Sequence, residues 1–237
     1  MRDSDNEREF VPFATGRCYR ETAQASLGLT GDGGQLRFDG LARLLQNVAT
    51  NDWRDAVPHS RDTWVVRRTD MRLTGQGRVP RYLDSFELAT WCAGHGAAWI
   101  ERRTDVILDD QILVECTALW VPIDATGHPV RLGSDVFDAY PGARDRKVSG
   151  RVSRPDPLEG RPGRPWILRE ADLDVVGHVN NAALWQAVTE CLTSPVTRVS
   201  VVHHGPVERG DDVDLRHDES RMALLVDGDV RVSANWS

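Results

Sequence analysis

Lysine is nearly absent from this sequence: Lys147 is the only one, and the other 28 of its 29 basic residues are arginine. Against 36 acidic residues these leave a formal net charge of -7, which argues against nucleic-acid binding over the whole surface. No apolar run approaches the ~20 residues of a bilayer span, so no membrane span is expected. The start, MRDSDNEREF, lacks the apolar stretch of a secretory signal. No C-x-x-C pair occurs among Cys18, Cys92, Cys116 and Cys191, which excludes a zinc knuckle or a dithiol redox motif. The cysteines are expected as buried free thiols, and a cytoplasmic location follows from that. There is no G-x-x-x-x-G-K-[ST], no G-x-S-x-G and no G-x-G-x-x-G after a strand, so nucleotide and serine-hydrolase readings fall away. His203 and His204 are adjacent and would face opposite sides of a strand. His59, His95, His128 and His217 have no partners at ligand spacing, so neither a metal nor any other cofactor is expected.

What is present is an ordinary globular composition of 237 residues, 40% hydrophobic, enough for one large domain or two small ones. Residues 38–56 place Phe38, Leu41, Leu44, Leu45 and Val48 on one helical stripe, with Asp39 as the expected cap. Strand patterns follow at 64–73, 85–91, 97–108 and 112–121, with Asp109-Asp110 as a tight hairpin turn. One long helix followed by antiparallel strands indicates an α+β unit with the helix on one sheet face. Six prolines between 129 and 165 then break any long element. Within 141–165, Arg144, Arg146, Lys147, Arg151, Arg154, Arg161 and Arg164 outnumber Asp145, Asp156 and Glu159. A second unit begins at 164, with a helix expected over 178–193, strands at 196–204 and 212–216, and a hairpin about Asp227-Gly228-Asp229.

The halves resemble each other. GQLRFDGLARLLQNVAT (34–50) overlays GHVNNAALWQAVTECLT (177–193) at a shift of 143. The simplest account is two copies of one α+β unit whose sheets pair. The expected organisation is a first unit over 10–135 after a frayed segment 1–9, a linker over 136–163 and a second unit over 164–237.

The run Asp172 to Asn181 lies at a strand-to-helix junction. Backbone N–H groups at a helix start are unpaired and partly positive, and they can hold a carbonyl oxygen as it becomes an oxyanion. A carboxylate and an imidazole four residues apart, Asp174 and His178, would supply a base or nucleophile and a polar partner. The residues alone equally allow Asp174 and Asn181 to be turn and cap residues and His178 a solvated loop histidine.

DLDVVGHVNNAALW resembles the D-x-D-x-x-G-H-V-N-N signature of hot-dog-fold thioesterases. The segments GQLRFDGLARLLQNVAT, WVVRRTDMRLTGQGRVPRYLD, SFELATWCAG and ECTALWVPIDATGHPVRL are similar, in order, to the acyl-carrier-protein thioesterases. In that family two hot-dog units lie in tandem, each a long helix wrapped by an antiparallel sheet. The resemblance implies hydrolysis of an acyl thioester without a cofactor, with catalytic residues in the second unit. It assigns Asp174 and His178 as catalytic and Gly177, Val179, Asn180 and Asn181 as substrate-binding. Two positions depart from the family. Val176 stands where an asparagine is usual, and Pro206 stands where a glutamate precedes a Gly-Asp turn, with Glu208 displaced by two.

The first unit lacks the His and both Asn of that turn, so it is expected to be non-catalytic and to hold the acyl chain. Leu41, Leu44, Leu45, Val48, Trp91, Trp99 and Trp120 are the candidate walls. The arginine-rich stretch reads either as a docking patch for an acidic acyl carrier protein or as a solvated linker. The implied substrate is an acyl-acyl carrier protein, or alternatively an acyl-CoA, including polyketide or aryl thioesters. Non-hydrolytic acyl binding and a hydratase of the same fold remain as other readings. A monomer or a homodimer fits a chain that already contains both units.

Overall fold

Helix α1 (Phe38–Ala56) spans the expected stretch, and Leu41, Leu45 and Val48 are buried on its inner stripe. Asp39 is not its cap. Arg37 holds the N-cap position, and the Asp39 carboxylate in the first turn grips the Arg37 guanidinium through bonds of 2.8 and 2.9 Å. The computed structural model describes residues 16–60, 63–74, 77–175 and 177–237. The expected frayed segment 1–9, the expected start of the first unit at residue 10, and Val176 lie outside the described residues.

Five antiparallel strands wrap α1: β1 (Tyr19–Gln24), β2 (Thr63–Leu73), β3 (Ser85–His95), β4 (Ile100–Leu108) and β5 (Gln111–Ile123), in the order β1-β3-β4-β5-β2. Asp109 and Asp110 form the β4–β5 turn with φ of 51° and 58°, the left-handed pair a two-residue hairpin requires. The alternation along these strands does not divide core from solvent. On the face away from α1, Arg68, Asp70, Glu101, Arg103, Asp105 and Glu115 are all buried. They survive there because each charge is paired: Arg68 with Asp70 at 2.9 Å, Arg103 with Asp105 at 2.7 Å and with Glu115, and Glu101 with Arg146 at 2.5 Å.

The proline-rich stretch carries a short helix α2 (Ser134–Ala139) and is pinned along the sheet. Tyr140 and Ala143 pack with Cys92 and Ile100. His95 exchanges backbone bonds with Arg146 and Val148, and the Trp99 indole donates to the Val148 carbonyl at 3.0 Å. Arg151, Arg154 and Arg164 remain exposed.

The second unit comprises β6 (Arg164–Trp166), α3 (Trp185–Cys191), β7 (Arg198–His203), β8 (Val213–His217), β9 (Arg221–Val226) and β10 (Asp229–Trp236), in the order β7-β10-β9-β8-β6. The order mirrors the first unit. The units join edge to edge, β2 antiparallel to β7, with Thr69 opposite Val201 and Met71 opposite Val199. One ten-stranded sheet results, with both helices on it. The fold is thus α+β, two tandem hot-dog units. The helices touch where Phe38 stacks on Trp185, ring centroids 6.3 Å apart.

The second helix is shorter than its apolar pattern suggested. Regular α-helix covers only 185–191. Across 182–187 several amides bond three residues back, as in Ala183 to Asn180 (2.8 Å) and Gln186 to Ala183 (3.0 Å), so the chain enters the helix through tight turns.

Candidate active site

The site has a double in the first unit. In the second unit the Asp174 amide donates to the His178 carbonyl (2.8 Å), the Gly177 amide to the Asp174 carbonyl (3.1 Å), and the Asn180 amide to the Asp172 carbonyl (2.8 Å). Shifted by 143 residues, the first unit makes the same bonds: Gly31 to Gln35 (2.9 Å), Gly34 to Gly31 (2.9 Å) and Arg37 to Leu29 (3.0 Å). The flanking bridges correspond too, Leu173 with Val179 and Thr30 with Leu36. Gly34 and Gly177 have φ of 70° and 87°, the left-handed conformation that a side chain would strain. The two loops are one structure written twice.

The chemistry differs. Where the second unit has Asp174, His178 and Asn180, the first has Gly31, Gln35 and Arg37. Arg37 closes its own loop: besides Asp39, its guanidinium donates to the carbonyls of Thr30 (2.6 Å) and Gly28 (3.1 Å). Among the described residues, only the second loop carries a carboxylate and an imidazole at these two positions.

Asp174 is half-buried, and its carboxylate accepts the His178 amide at 3.2 Å. The His178 ring is exposed and makes no hydrogen bond among the described residues. His178 bridges to Glu208 on the neighbouring segment, so the displaced Glu208 stands beside His178 while Pro206 is exposed nearby. Asn180 is the local organiser: its side-chain oxygen accepts the Ala182 amide at 2.8 Å, and its carbonyl accepts from Ala183.

The expected oxyanion donors need revision. The amides of Gly177, His178, Val179 and Asn180 are all engaged inside the protein, that of Val179 with the Val207 carbonyl at 2.9 Å. The physical reason is that these residues form a bridged loop and not the first turn of a helix. Asn181 differs, since neither its amide nor its side chain has a hydrogen-bond partner among the described residues.

Asn181 opens onto a narrow crevice between the units. Ala42, Leu45 and Gln46 of α1 form one wall. Val66, Thr69, Arg102, Thr104, Cys116, Ala118 and Trp120 of the first sheet form the other, and Ala182 and Trp185 flank Asn181. About 30 Å³ is free, room for one or two waters. Asp174 and His178 are not on its lining, so Asn181 is the member of the turn that reaches it. Of the walls expected from sequence, Leu45 and Trp120 line the crevice. Trp91 lies 5.5 Å under the Arg103 guanidinium on the opposite face, and Trp99 anchors the connection. Behind the crevice, Arg102 is held by the fully buried Asp52 and by Tyr140 (3.1 Å), and Tyr140 donates to Asp52 at 2.8 Å. A more open groove of about 530 Å³, lined by Arg161, Cys191 and His217 among others, contains none of the turn residues.

The cysteines offer no competing nucleophile. All are free, and burial pushes the Cys92 thiol up to about 11 and raises Cys18, Cys116 and Cys191 as well. No cluster of three or more metal-ligating side chains exists among the described residues. No helix of the described residues is long and apolar enough to cross a membrane.

Comparison with known proteins places these features. A family model for the acyl-ACP thioesterase N-terminal domain matches residues 16–140. Two uncharacterized proteins of Mycobacterium tuberculosis, from strains CDC 1551 and H37Rv, are each 27% identical over 217 residues, covering 84% of both chains. An acyl-ACP thioesterase from Bacteroides thetaiotaomicron superposes with a TM-score of 0.78 at 18% identity, over 92% of this chain and 96% of its own. The 12:0-ACP thioesterase from Umbellularia californica superposes with a TM-score of 0.74 at 18% identity, over 95% and 98%.

Proposed function

This chain belongs to the acyl-ACP thioesterase family, and from that premise we propose that it hydrolyses acyl thioesters, releasing a free carboxylic acid and a thiol. The observation that carries the reading is the asymmetry of the duplicated loop: the same backbone is built twice, and the acid and imidazole appear only in the copy whose Asn181 reaches the inter-unit crevice.

In the proposed reaction the thioester carbonyl lies at the Asn181 end of the crevice, whose walls must part to admit an acyl chain, since the free space of about 30 Å³ holds only one or two waters. Asp174 takes a proton from a water whose oxygen adds to the thioester carbon. The carbonyl oxygen becomes an oxyanion and is met by the uncommitted Asn181 amide. The C–S bond then breaks, the acid leaves, and the thiolate takes up a proton. His178, next to Asp174 on the loop and exposed, orients the water or the carrier's thioester arm. Gly177 sets the loop's left-handed bend, and Val179 and Asn180 hold its shape.

The carrier is proposed to be an acyl carrier protein, an acidic partner for which exposed Arg151, Arg154 and Arg164 form a basic approach. An acyl-CoA is the second reading, favoured by the simplicity of a site that relies on one carboxylate. Thiol release from matched carrier-bound and CoA-bound substrates tests both. Release by the wild-type chain and its loss in Asp174→Ala is the expected result. Equal turnover by the two proteins would overturn the assignment.

A further inference from the structure

Two arginines meet at the end of β7 with no acid to answer them. β7 lies between β2 and β10 in the sheet, and each of these neighbours carries a β-bulge. The register shifts between Val66 and Arg68 in β2 and between Val230 and Val232 in β10, so the inserted residues are Arg67 and Arg231. A bulge redirects the side chain it carries. Both guanidinium groups arrive at one peptide unit, His204–Gly205, just past β7. Arg67 Nη1 donates to the His204 carbonyl at 3.1 Å, and a Cβ placed on Gly205 would lie 3.1 Å from Arg231 Nη1. The Arg231 carbonyl accepts the His204 amide at 2.7 Å, and the His204 ring meets Ser233 Oγ at 2.8 Å.

The charge here is uncompensated. Arg68, Arg102 and Arg103, the buried arginines of the first unit, each grip a carboxylate. Arg67 has no carboxylate partner among the described residues, and burial lowers its pKa. Arg231 makes no side-chain hydrogen bond or ion pair among them, and its Nε is buried without an acceptor. Burial first, and then Arg67, holds the His203 and His204 rings below the usual histidine range. Arg67, His204, Gly205 and Arg231 are each partly exposed, so a solute can reach them. Two guanidinium forks with unspent donors suit the oxygens of a phosphate, and a partly buried cation without a counter-charge gains from one.

The segment leaving this cluster borders the Asp174 loop. The Val207 carbonyl accepts the Val179 amide, and Glu208 bridges to His178. From His204 to Glu208 the chain spans at most about 14 Å. Exposed Arg151 passes beside β2, its carbonyl bonded to Arg68 at 3.2 Å. We propose that Arg67 and Arg231 bind the phosphate group at the head of the carrier's pantetheine arm, while the thioester at the other end of the arm reaches the Asp174 loop. That phosphate is common to CoA and to an acyl carrier protein. This rests on the thioesterase reading above and adds where the substrate's arm is held.

The test uses the full chain with octanoyl-pantetheine and octanoyl-phosphopantetheine, which differ only in the phosphate, followed by thiol release. Expected is a kcat/KM at least tenfold higher for the phosphorylated substrate. Arg231→Gln and Arg67→Gln should each bring that ratio close to one, whereas Arg54→Gln, the same charge loss at an exposed position of α1, should leave it in place. A ratio near one in the wild-type chain, or a ratio that both variants leave unmoved, overturns the proposal while leaving hydrolysis standing. If neither substrate is cleaved, the hydrolytic reading fails, and calorimetry with phosphopantetheine, pantetheine and inorganic phosphate decides the site. Phosphopantetheine binding at least tenfold tighter than either of the others, and weakened tenfold in Arg231→Gln, supports it. Inorganic phosphate binding as tightly as phosphopantetheine, or no preference for the phosphorylated arm, overturns it.

Discussion

Asp174 and Gly31 occupy one structural position, 143 residues apart, each donating its amide to the carbonyl four residues on. The duplication therefore provides an internal control: the backbone of the loop is common to both, and what the second copy adds is side-chain chemistry. Asp174→Ala should lower thiol release by roughly 10² to 10⁴, the range of a lost general base. Because the loop is held by backbone bonds that do not depend on the side chain at 174, the thermal midpoint should move little. Steady-state kinetics beside a melting curve separates the two effects.

Asp52 anchors a buried charge cluster in the first unit. It is fully buried and receives Arg17 at 2.6 Å, Arg102 and Tyr140. Asp52→Ala leaves Arg102 buried without its counter-charge and should destabilise the protein by about 3–5 kcal/mol. Urea unfolding measures this. A loss below about 1 kcal/mol would mean that water reaches the cluster.

His203 predicts a dependence on pH. Both of its ring nitrogens are buried without a partner, and burial, reinforced by Arg67 and His204, lowers its pKa to about 3. The unfolded chain takes up a proton near pH 6.5 that the folded chain refuses. Stability should thus be unaffected by this group above about pH 7. It should fall by up to about 1.4 kcal/mol per pH unit as pH drops below 6.5. His203→Phe should flatten that slope between pH 6.5 and 5, read from urea midpoints. His204, also lowered by burial, adds a dependence of the same sign.

Salt distinguishes the carriers. If Arg151, Arg154 and Arg164 steer an acidic protein, raising ionic strength from 0.05 to about 0.5 M should depress kcat/KM for carrier-bound substrates several-fold more than for pantetheine thioesters, as screening shortens the reach of the charges. Equal sensitivity of both substrates removes the docking role.

The extent of α1, the β4–β5 and β9–β10 hairpins, the tandem repeat and the Asp174 loop were all legible from residue types and spacing, because helical stripes, left-handed turn residues and a shifted motif are local properties. The strand character of β4 was legible too, but not the environment of its faces. Nothing along β4 itself shows that Glu101, Arg103 and Asp105 are buried, because counter-charges come from β5 and from a connection more than forty residues away. The length of α3 was overestimated because an apolar period does not reveal that Asn180 turns the chain tightly before the helix becomes regular.

Sequence by itself determined that this chain folds as two α+β copies and that only the second bears an acid and a histidine in its loop, since duplication and residue identity are written along the chain. Only the tertiary structure decided that the amides of 177–180 are spent and that Asn181 faces the crevice. Hydrogen-bond satisfaction is a balance between segments far apart in sequence, and it exists only once α1, the first sheet and the second unit's loop have come together.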